Sequence, residues 1–255
     1  MKTILARTDP SCSFSLALTE DSNLIVYSIS KNILNVLTTF HVDCIDAQFL
    51  PSSLGLAFII AEKDGSLTIY RQDMAWKTYK IENFKSFSSC LRVSPYPPEA
   101  RIGCISNGEI MIFNLLFEQQ PTLLPIRRFA YPNKFKYFNF GLNDTIFAVY
   151  DDMIWRFNFN KKVTSEPFKT TDKPVAIEPN PCNADLAAII FENDKVGIIG
   201  IVDGIFSERL LTPIQHNVHS VKNIMWSPLG TSLLIGGDII EEWKEVSPGN
   251  WCLSK

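Results

Sequence analysis

Three histidines, six cysteines and a few adjacent acidic residues are the side chains of this 255-residue chain best suited to chemistry. His216 and His219 stand three apart, a ligand spacing on a helix, but they fall in a loop-like stretch without a carboxylate cluster. Their expected role is to brace that loop or to face solvent. Asp151-Asp152 and Glu241-Glu242 are sequence neighbours, and neighbours on a strand point to opposite faces, so neither pair can converge on one substrate. Serines occur without a Gly-x-Ser-x-Gly elbow, and no glycine-rich phosphate loop is present. The cysteines, at 12, 44, 90, 104, 182 and 252, include no Cys-x-x-Cys pair. They read as buried or half-buried thiols in a reducing compartment, with no disulfides expected. Asn143-Asp144-Thr145 matches a glycosylation sequon, a chance match in a cytosolic protein. The expectation is a protein with no catalytic residues, no cofactor and no bound metal.

Charge points the same way. A net charge of -3 and a pI near 5.7 supply no general drive toward nucleic acid or anionic lipid. FAYPNKFKYFNF (129–140) interleaves aromatic residues with Lys134 and Lys136, a pattern that could stack bases. In an acidic chain it reads instead as an outer strand, a loop and an inner strand. Arg7, Asp9 and Pro10 interrupt the N-terminal apolar patch before a signal-peptide core could form, and no apolar run reaches 18 residues. A soluble intracellular protein is expected.

The organisation is a repeat. Six segments share an apolar run, a small or acidic turn, and a second run closed by a bulky residue: 16–27, 58–70, 102–113, 147–157, 188–199 and 233–243. Their closing residues are Tyr27, Tyr70, Phe113, Phe157, Ile199 and Trp243, at intervals of 43, 43, 44, 42 and 44. Six residues before each stands Asp21, Asp64, Asn107, Asp151, Asn193 or Gly237, all residue types that suit tight turns. Upstream of most hairpins an alternating run stops at proline: DAQFLP (46–51), CLRVSP (90–95), VAIEP (175–179) and IMWSP (224–228), with ILARTDP (4–10) a weaker version. The fourth unit, YFNFGLND (137–144), lacks that proline. Further strand-like pieces such as WKTYKI (76–81) and NILNVLTTF (32–40) bring each unit to four strands. PYPPEA (95–100) and LLFEQQPTLLP (115–125) read as surface loops.

Four short strands in about 43 residues is the arithmetic of a β-propeller blade. The expected fold is therefore all-β: a single domain over 1–255, a six-bladed WD-repeat-type β-propeller with blades at about 1–40, 41–83, 84–130, 131–172, 173–216 and 217–255. The Gly-His and Trp-Asp dipeptides that brace many WD blades are nearly all missing, with His41 as one remnant in a structural role. Apolar packing of Phe49, Trp226 and their counterparts must hold neighbouring blades together. The chain is expected to begin with the innermost strand of its first blade, Thr3 to Arg7, and to end with the outermost strand of its last, Asn250 to Ser254. That phase leaves no strand for a clasp, so the ring is expected to be open.

The last unit, IMWSPLGTSLLIGGDIIEEWKEVSPGNWCLSK, resembles the closing blade of the Sec-thirteen family, the small WD-repeat subunit of the COPII outer coat and its nuclear-pore paralogue. The matching elements are Trp226, Ser227, Gly230, Gly236, Gly237, Asp238, Trp243, Lys244, Glu245, Gly249 and Trp251. Blade two is similar through Lys63-Asp64-Gly65, Ile69-Tyr70 and Trp76, whereas blades four and five depart from the pattern. The resemblance implies an open propeller into which an α-solenoid partner, a coat rod protein or a nucleoporin, inserts a seventh blade.

The expected function is thus a non-enzymatic scaffold in the cytoplasm. Its place would be the COPII coat at the ER membrane, in ER-to-Golgi transport, or the nuclear-pore Y-shaped subcomplex, or both, with membrane contact only through the coat. Thr3, Ile4 and Leu5 on the first strand, and Trp226, Trp251 and Leu253 on the last blade, are the expected partner-binding residues. Trp76 and Trp251 also read as outer-strand packing residues. The rival expectation is a closed WD-repeat adaptor that recognises peptides of histones or ubiquitin ligases through its central face.

Overall fold

A computed structural model describes residues 2–9, 11–31, 33–81, 84, 87–96, 100–117, 120–130, 134–158, 163–164, 167–202 and 205–254, with backbone alone for 163–164 and 205–210. The architecture is all-β, six small antiparallel sheets in the fold class of a six-bladed β-propeller. The chain divides into two compact units, Met1–Ala130 and Tyr131–Lys255, and each carries three sheets. Among the described residues no helix is long and apolar enough to cross a membrane.

In the first unit, sheet 1 consists of β1 (Thr3–Thr8), β2 (Phe14–Thr19), β3 (Asn23–Ser30) and β4 (Ile33–His41). Sheet 2 consists of β5 (Cys44–Phe49), β6 (Ala57–Glu62), β7 (Leu67–Gln72) and β8 (Trp76–Ile81). Sheet 3 consists of β9 (Ser89–Val93), β10 (Arg101–Ser106), β11 (Glu109–Phe117) and β12 (Pro121–Phe129). In the second unit, sheet 4 holds β13 (Tyr137–Gly141), β14 (Thr145–Tyr150) and β15 (Met153–Asn158). Its outer position is split between β16 (Val163–Thr164) and β17 (Phe168–Lys169). Sheet 5 holds β18 (Pro174–Pro179), β19 (Leu186–Phe191), β20 (Val196–Val202) and β21 (Ile205–Ile214). Sheet 6 holds β22 (Asn223–Trp226), β23 (Ser232–Gly236), β24 (Ile240–Ser247) and β25 (Asn250–Leu253). Every sheet is thus built from consecutive strands.

The turn residues do what their chemistry allows. Ser22, Gly65, Asn107, Gly108, Asp151 and Asp194 all adopt positive φ at the tips of the central hairpins, the region that Gly, Asn and Asp enter at least cost. Asp151 and Asp152 therefore form a turn between β14 and β15 rather than lying on a strand. Glu241 and Glu242 do lie on a strand, one buried and one half-buried. The stretch 115–125 departs from its expected loop. β11 runs on to Phe117 and β12 starts at Pro121, with Leu115 and Leu123 both buried. The two prolines of β12 are accommodated because it is an edge strand that need not donate on its outer side. Residues 118–119 lie outside the described residues, as do 97–99 within the expected loop 95–100 and 131–133 within 129–140.

The second strand of each sheet shows which sheets are covered on both faces. β6, β10, β14 and β19 are apolar almost throughout and are buried at nearly every position, as expected for strands with apolar neighbours above and below. β2 (FSLALT) and β23 (SLLIG) differ, with Ala17 and Leu234 half-buried between buried neighbours and Phe14, Ser15 and Gly236 half-buried as well. Sheets 1 and 6 are thus less deeply buried on one face, although Thr19 and Ile25 of sheet 1 and Ser232 of sheet 6 are buried on that face too.

Within each unit the sheets pack face to face through apolar rows. Leu5, Leu16, Leu18, Leu24 and Phe40 of sheet 1 meet Ala47, Phe49, Phe58 and Trp76 of sheet 2, and Phe40 contacts Trp76 edge-on at 5.3 Å. Ile224, Trp226, Leu233 and Trp243 of sheet 6 meet Ala188, Ile190, Val196 and Ile198 of sheet 5.

Candidate functional site

On sheet 6 the cross-strand register separates two faces. Ile224, Trp226, Leu233, Ile235, Trp243 and Trp251 turn toward sheet 5. Trp226 and Trp251 are only 6% and 8% exposed and meet edge-on at 5.7 Å. The Trp226 indole Nε1 donates to the Glu178 carbonyl oxygen of sheet 5 at 2.9 Å. Alternation then places Met225, Leu234 and Glu242 in one row on the opposite face, with Asn223, Gly236 and Ile240 in the next. Met225 is exposed and Ile240 is 76% exposed. A neighbouring Lys244–Glu242 ion pair at 3.4 Å stands beside them. Leu253 pairs with Trp243 and lies exposed at the rim of the sheet-5 side.

On sheet 1, Leu5 turns toward sheet 2 and joins its apolar cluster, while Thr3 and Ile4 are exposed. Ile4 sits where the β1–β2 register shifts, between the Thr3 and Leu5 pairs. The face turned away from sheet 2 carries the row Ala6, Ala17, Ile25, Thr39 and the row Thr8, Ser15, Tyr27, Val36. This face carries small and β-branched side chains together with Tyr27, and Ile25 on it is buried. Of the six residues expected to bind a partner, the structure therefore brings Trp226 and Trp251 together in a packed core position. It leaves Thr3, Ile4 and Leu253 at the surface. Met225 and Ile240 were not singled out from sequence, although the alternation that turns Trp226 inward turns Met225 outward.

The residues that carry the resemblance in sheet 6 do structural work. The Ser227 hydroxyl accepts the backbone N–H groups of Thr231 and Ser232 at 3.2 and 3.1 Å, and Gly230 takes φ +67. Asp238 accepts the His219 N–H at 2.7 Å, while its own N–H donates to the His219 carbonyl at 3.1 Å. This double bond pair pins the Gly-Gly-Asp turn onto the loop before β22 and holds the Asp238 carboxyl below its usual range. A Cβ on Gly237 would collide with the His219 and Ser220 carbonyl oxygens. Buried Glu241 accepts both the Asn217 backbone N–H at 3.3 Å and the Trp243 indole N–H at 3.0 Å. His219 thus braces its loop through its backbone, and His41 Nδ1 lies 3.5 Å from Asn23 Oδ1 across the β3–β4 hairpin.

Polar ties between inner strands supplement the apolar packing. In the first unit Asp46 of β5 is buried between Arg7 of β1 and Arg92 of β9, at 3.6 and 3.5 Å. Its carboxylate also accepts the backbone N–H of Leu91 at 3.0 Å and of Ala47 at 2.9 Å. One side chain therefore joins the inner strands of three sheets. In the second unit Glu178 of β18 plays a similar part, accepting from Asn139 Nδ2 of β13 at 2.7 Å and from Trp226 of β22.

The titratable groups are set for structure. Burial, with Asp46 nearby, pushes the Cys44 thiol up to about 11. Burial also pushes Cys104 up to about 12. Both are held as neutral thiols far from a nucleophile's working range. Among the described residues no group of three or more His, Cys, Asp or Glu side chains is arranged to hold a metal ion.

Comparison with known proteins finds no matching family model, and no curated protein matches the chain. The structure itself defines the class, a set of propeller sheets whose fold fits a protein-interaction role.

Proposed function

We propose that this protein is a scaffold that accepts an inserted sheet from an α-solenoid partner, in the manner implied by its resemblance to the Sec-thirteen family. The observation that carries the proposal is the shallower burial of one face of the first and last sheets. β2 and β23 keep half-buried positions on the faces turned away from sheets 2 and 5, beside the buried Thr19 and Ser232, whereas the second strands of the four other sheets are buried at all but one terminal position at most. Each of these two sheets is also complete with four consecutive strands. On sheet 6 a partner sheet would cover Met225, Leu234 and Ile240. Apolar contact would supply most of the affinity, and strand addition would supply register.

By the same resemblance the partner is a coat rod protein or a nucleoporin. The setting is then the COPII coat at the ER membrane, the nuclear-pore Y-shaped subcomplex, or both. Co-expression with an α-solenoid fragment carrying an N-terminal three-strand segment tests the proposal. The expected result is a co-purifying complex with a raised melting temperature, weakened by Ile240→Glu and Met225→Glu and unaffected by Met74→Glu on the β7–β8 turn. An isolated chain whose stability no such fragment changes, and which binds peptides through its inner strands, would favour a closed adaptor instead.

A further inference from the structure

Each sheet ends on an outer strand with one unpaired edge, and an unguarded edge is a template for another strand. Most of the outer strands carry the usual protection. β8 has Lys77 and Lys80, and β12 has Pro121, Pro125, Arg127 and Arg128. β21 contains Pro213, β25 is four residues long, and β16 and β17 are two residues each. β4 has a bulge at Leu37, where its register with β3 shifts, but no charged, proline or length protection. Its nine residues, ILNVLTTFH, hold no proline and no Lys, Arg, Asp or Glu, and Ile33, Leu34, Val36 and Leu37 are all exposed, Val36 by 60%.

The charges flanking this edge select its occupant. Lys31, exposed in the β3–β4 turn, and Asp21, exposed in the β2–β3 turn, stand at opposite ends of β3. Among the described residues neither makes a salt bridge. An antiparallel pairing of β4 with β4 of a second copy sets the Lys31 end of each molecule against the Asp21 end of the other, twice by symmetry. A parallel pairing would set like ends together. The strand itself brings no charge into the contact that its own copy would repel.

We propose that β4 is a self-association edge through which two copies of this chain pair antiparallel about a two-fold axis. A contact made by one nine-residue edge and its turns stays below the roughly 1,200 Å² of a standard interface, so the dimer is weak and reversible. Leu34 and Val36 also lie on the sheet-1 face turned away from sheet 2, so the partner fragment is tested through Ile240→Glu and Met225→Glu on sheet 6, which leave this edge intact.

Sedimentation velocity on the full chain, from about 5 to 500 µM, reads this directly, a range suited to contacts of this size. The expected result is a concentration-dependent shift from monomer to dimer. Val36→Lys places two lysines close across the axis and is expected to weaken the dimer about a hundredfold or more, with an unchanged circular dichroism spectrum and melting temperature. Lys31→Glu and Asp21→Lys are each expected to weaken it severalfold, and the double variant to restore it. A chain that stays monomeric throughout overturns the proposal. So does a dimer indifferent to Val36→Lys, or a charge swap without rescue.

Discussion

Replacing Asp46 by alanine removes a side chain that ties the inner strands of three sheets together. The Leu91 N–H, 3.0 Å from Asp46 Oδ2 and fully buried, would lose a charge-assisted acceptor worth about 1.5–3 kcal/mol. The Ala47 N–H would lose its contact at 2.9 Å. Arg7 and Arg92 sit at 3.6 and 3.5 Å with side chains 25% and 11% exposed, so their partly screened ion pairs add about 1 kcal/mol together. The expected loss is about 3–4 kcal/mol, or a melting temperature lower by roughly 6–15 °C for a chain of this size. Asp46→Asn keeps an acceptor oxygen but no charge, and should cost about half as much. Urea unfolding followed by circular dichroism measures the loss, and amide exchange at Leu91 reports it locally. A loss under about 1 kcal/mol for Asp46→Ala, or unchanged Leu91 protection, would refute the idea that this carboxylate ties the first unit together.

Trp226→Phe keeps most of the packing against Trp251 but deletes the bond to the Glu178 carbonyl, and should destabilise by about 1–2 kcal/mol in the same unfolding assay. Gly237→Ala should cost more than about 2 kcal/mol, because the new methyl meets two backbone carbonyls that flexible side chains cannot relieve. Cys12, Cys182 and Cys252 are exposed, whereas Cys44 and Cys104 are buried. Under native conditions a thiol reagent should label the first three readily and the last two only on unfolding, as mass spectrometry of labelled peptides would show. Stability should also decline as pH rises above about 9. The unfolded thiols at Cys44 and Cys104 give up protons there, while the folded ones hold theirs to about 11 and about 12. Cys104→Ala should flatten that alkaline slope in pH-dependent unfolding.

The architecture was readable because it repeats. The turn residues Asp21, Asp64, Asn107, Asp151 and Gly237 mark hairpins at one period, and tight turns admit few residue types. The strands that follow those turns, and the inner strands that stop at proline, fall where the pattern puts them. What escaped was chemistry between repeats. Asp46 looks like an ordinary polar position in an alternating strand, and its partners Arg7 and Arg92 are each about one repeat away. Only folding shows that three inner strands bring these charges together. The stretch 115–125 misled because Pro121 and Pro125 signal a loop by composition, yet an edge strand tolerates both. The faces of sheets 1 and 6 were partly legible, since FSLALT alternates small with apolar residues where LAAIIF does not. Trp226 and Trp251 are expected at a partner surface from their place on the last blade, but large indoles fill cores as readily as they anchor partners.

Because each sheet is made from consecutive strands, every sheet can close as soon as its own forty or so residues have left the ribosome. Loop closure stays short, and no strand has to wait exposed for a distant mate. Asp46 adds an order to this sequence of events. Its bonds to sheet 1 can form once β5 emerges, but its bond to Leu91 forms only when β9 arrives. The carboxylate would then act as a latch that rewards the third sheet for docking and makes the first unit's assembly directional along the growing chain.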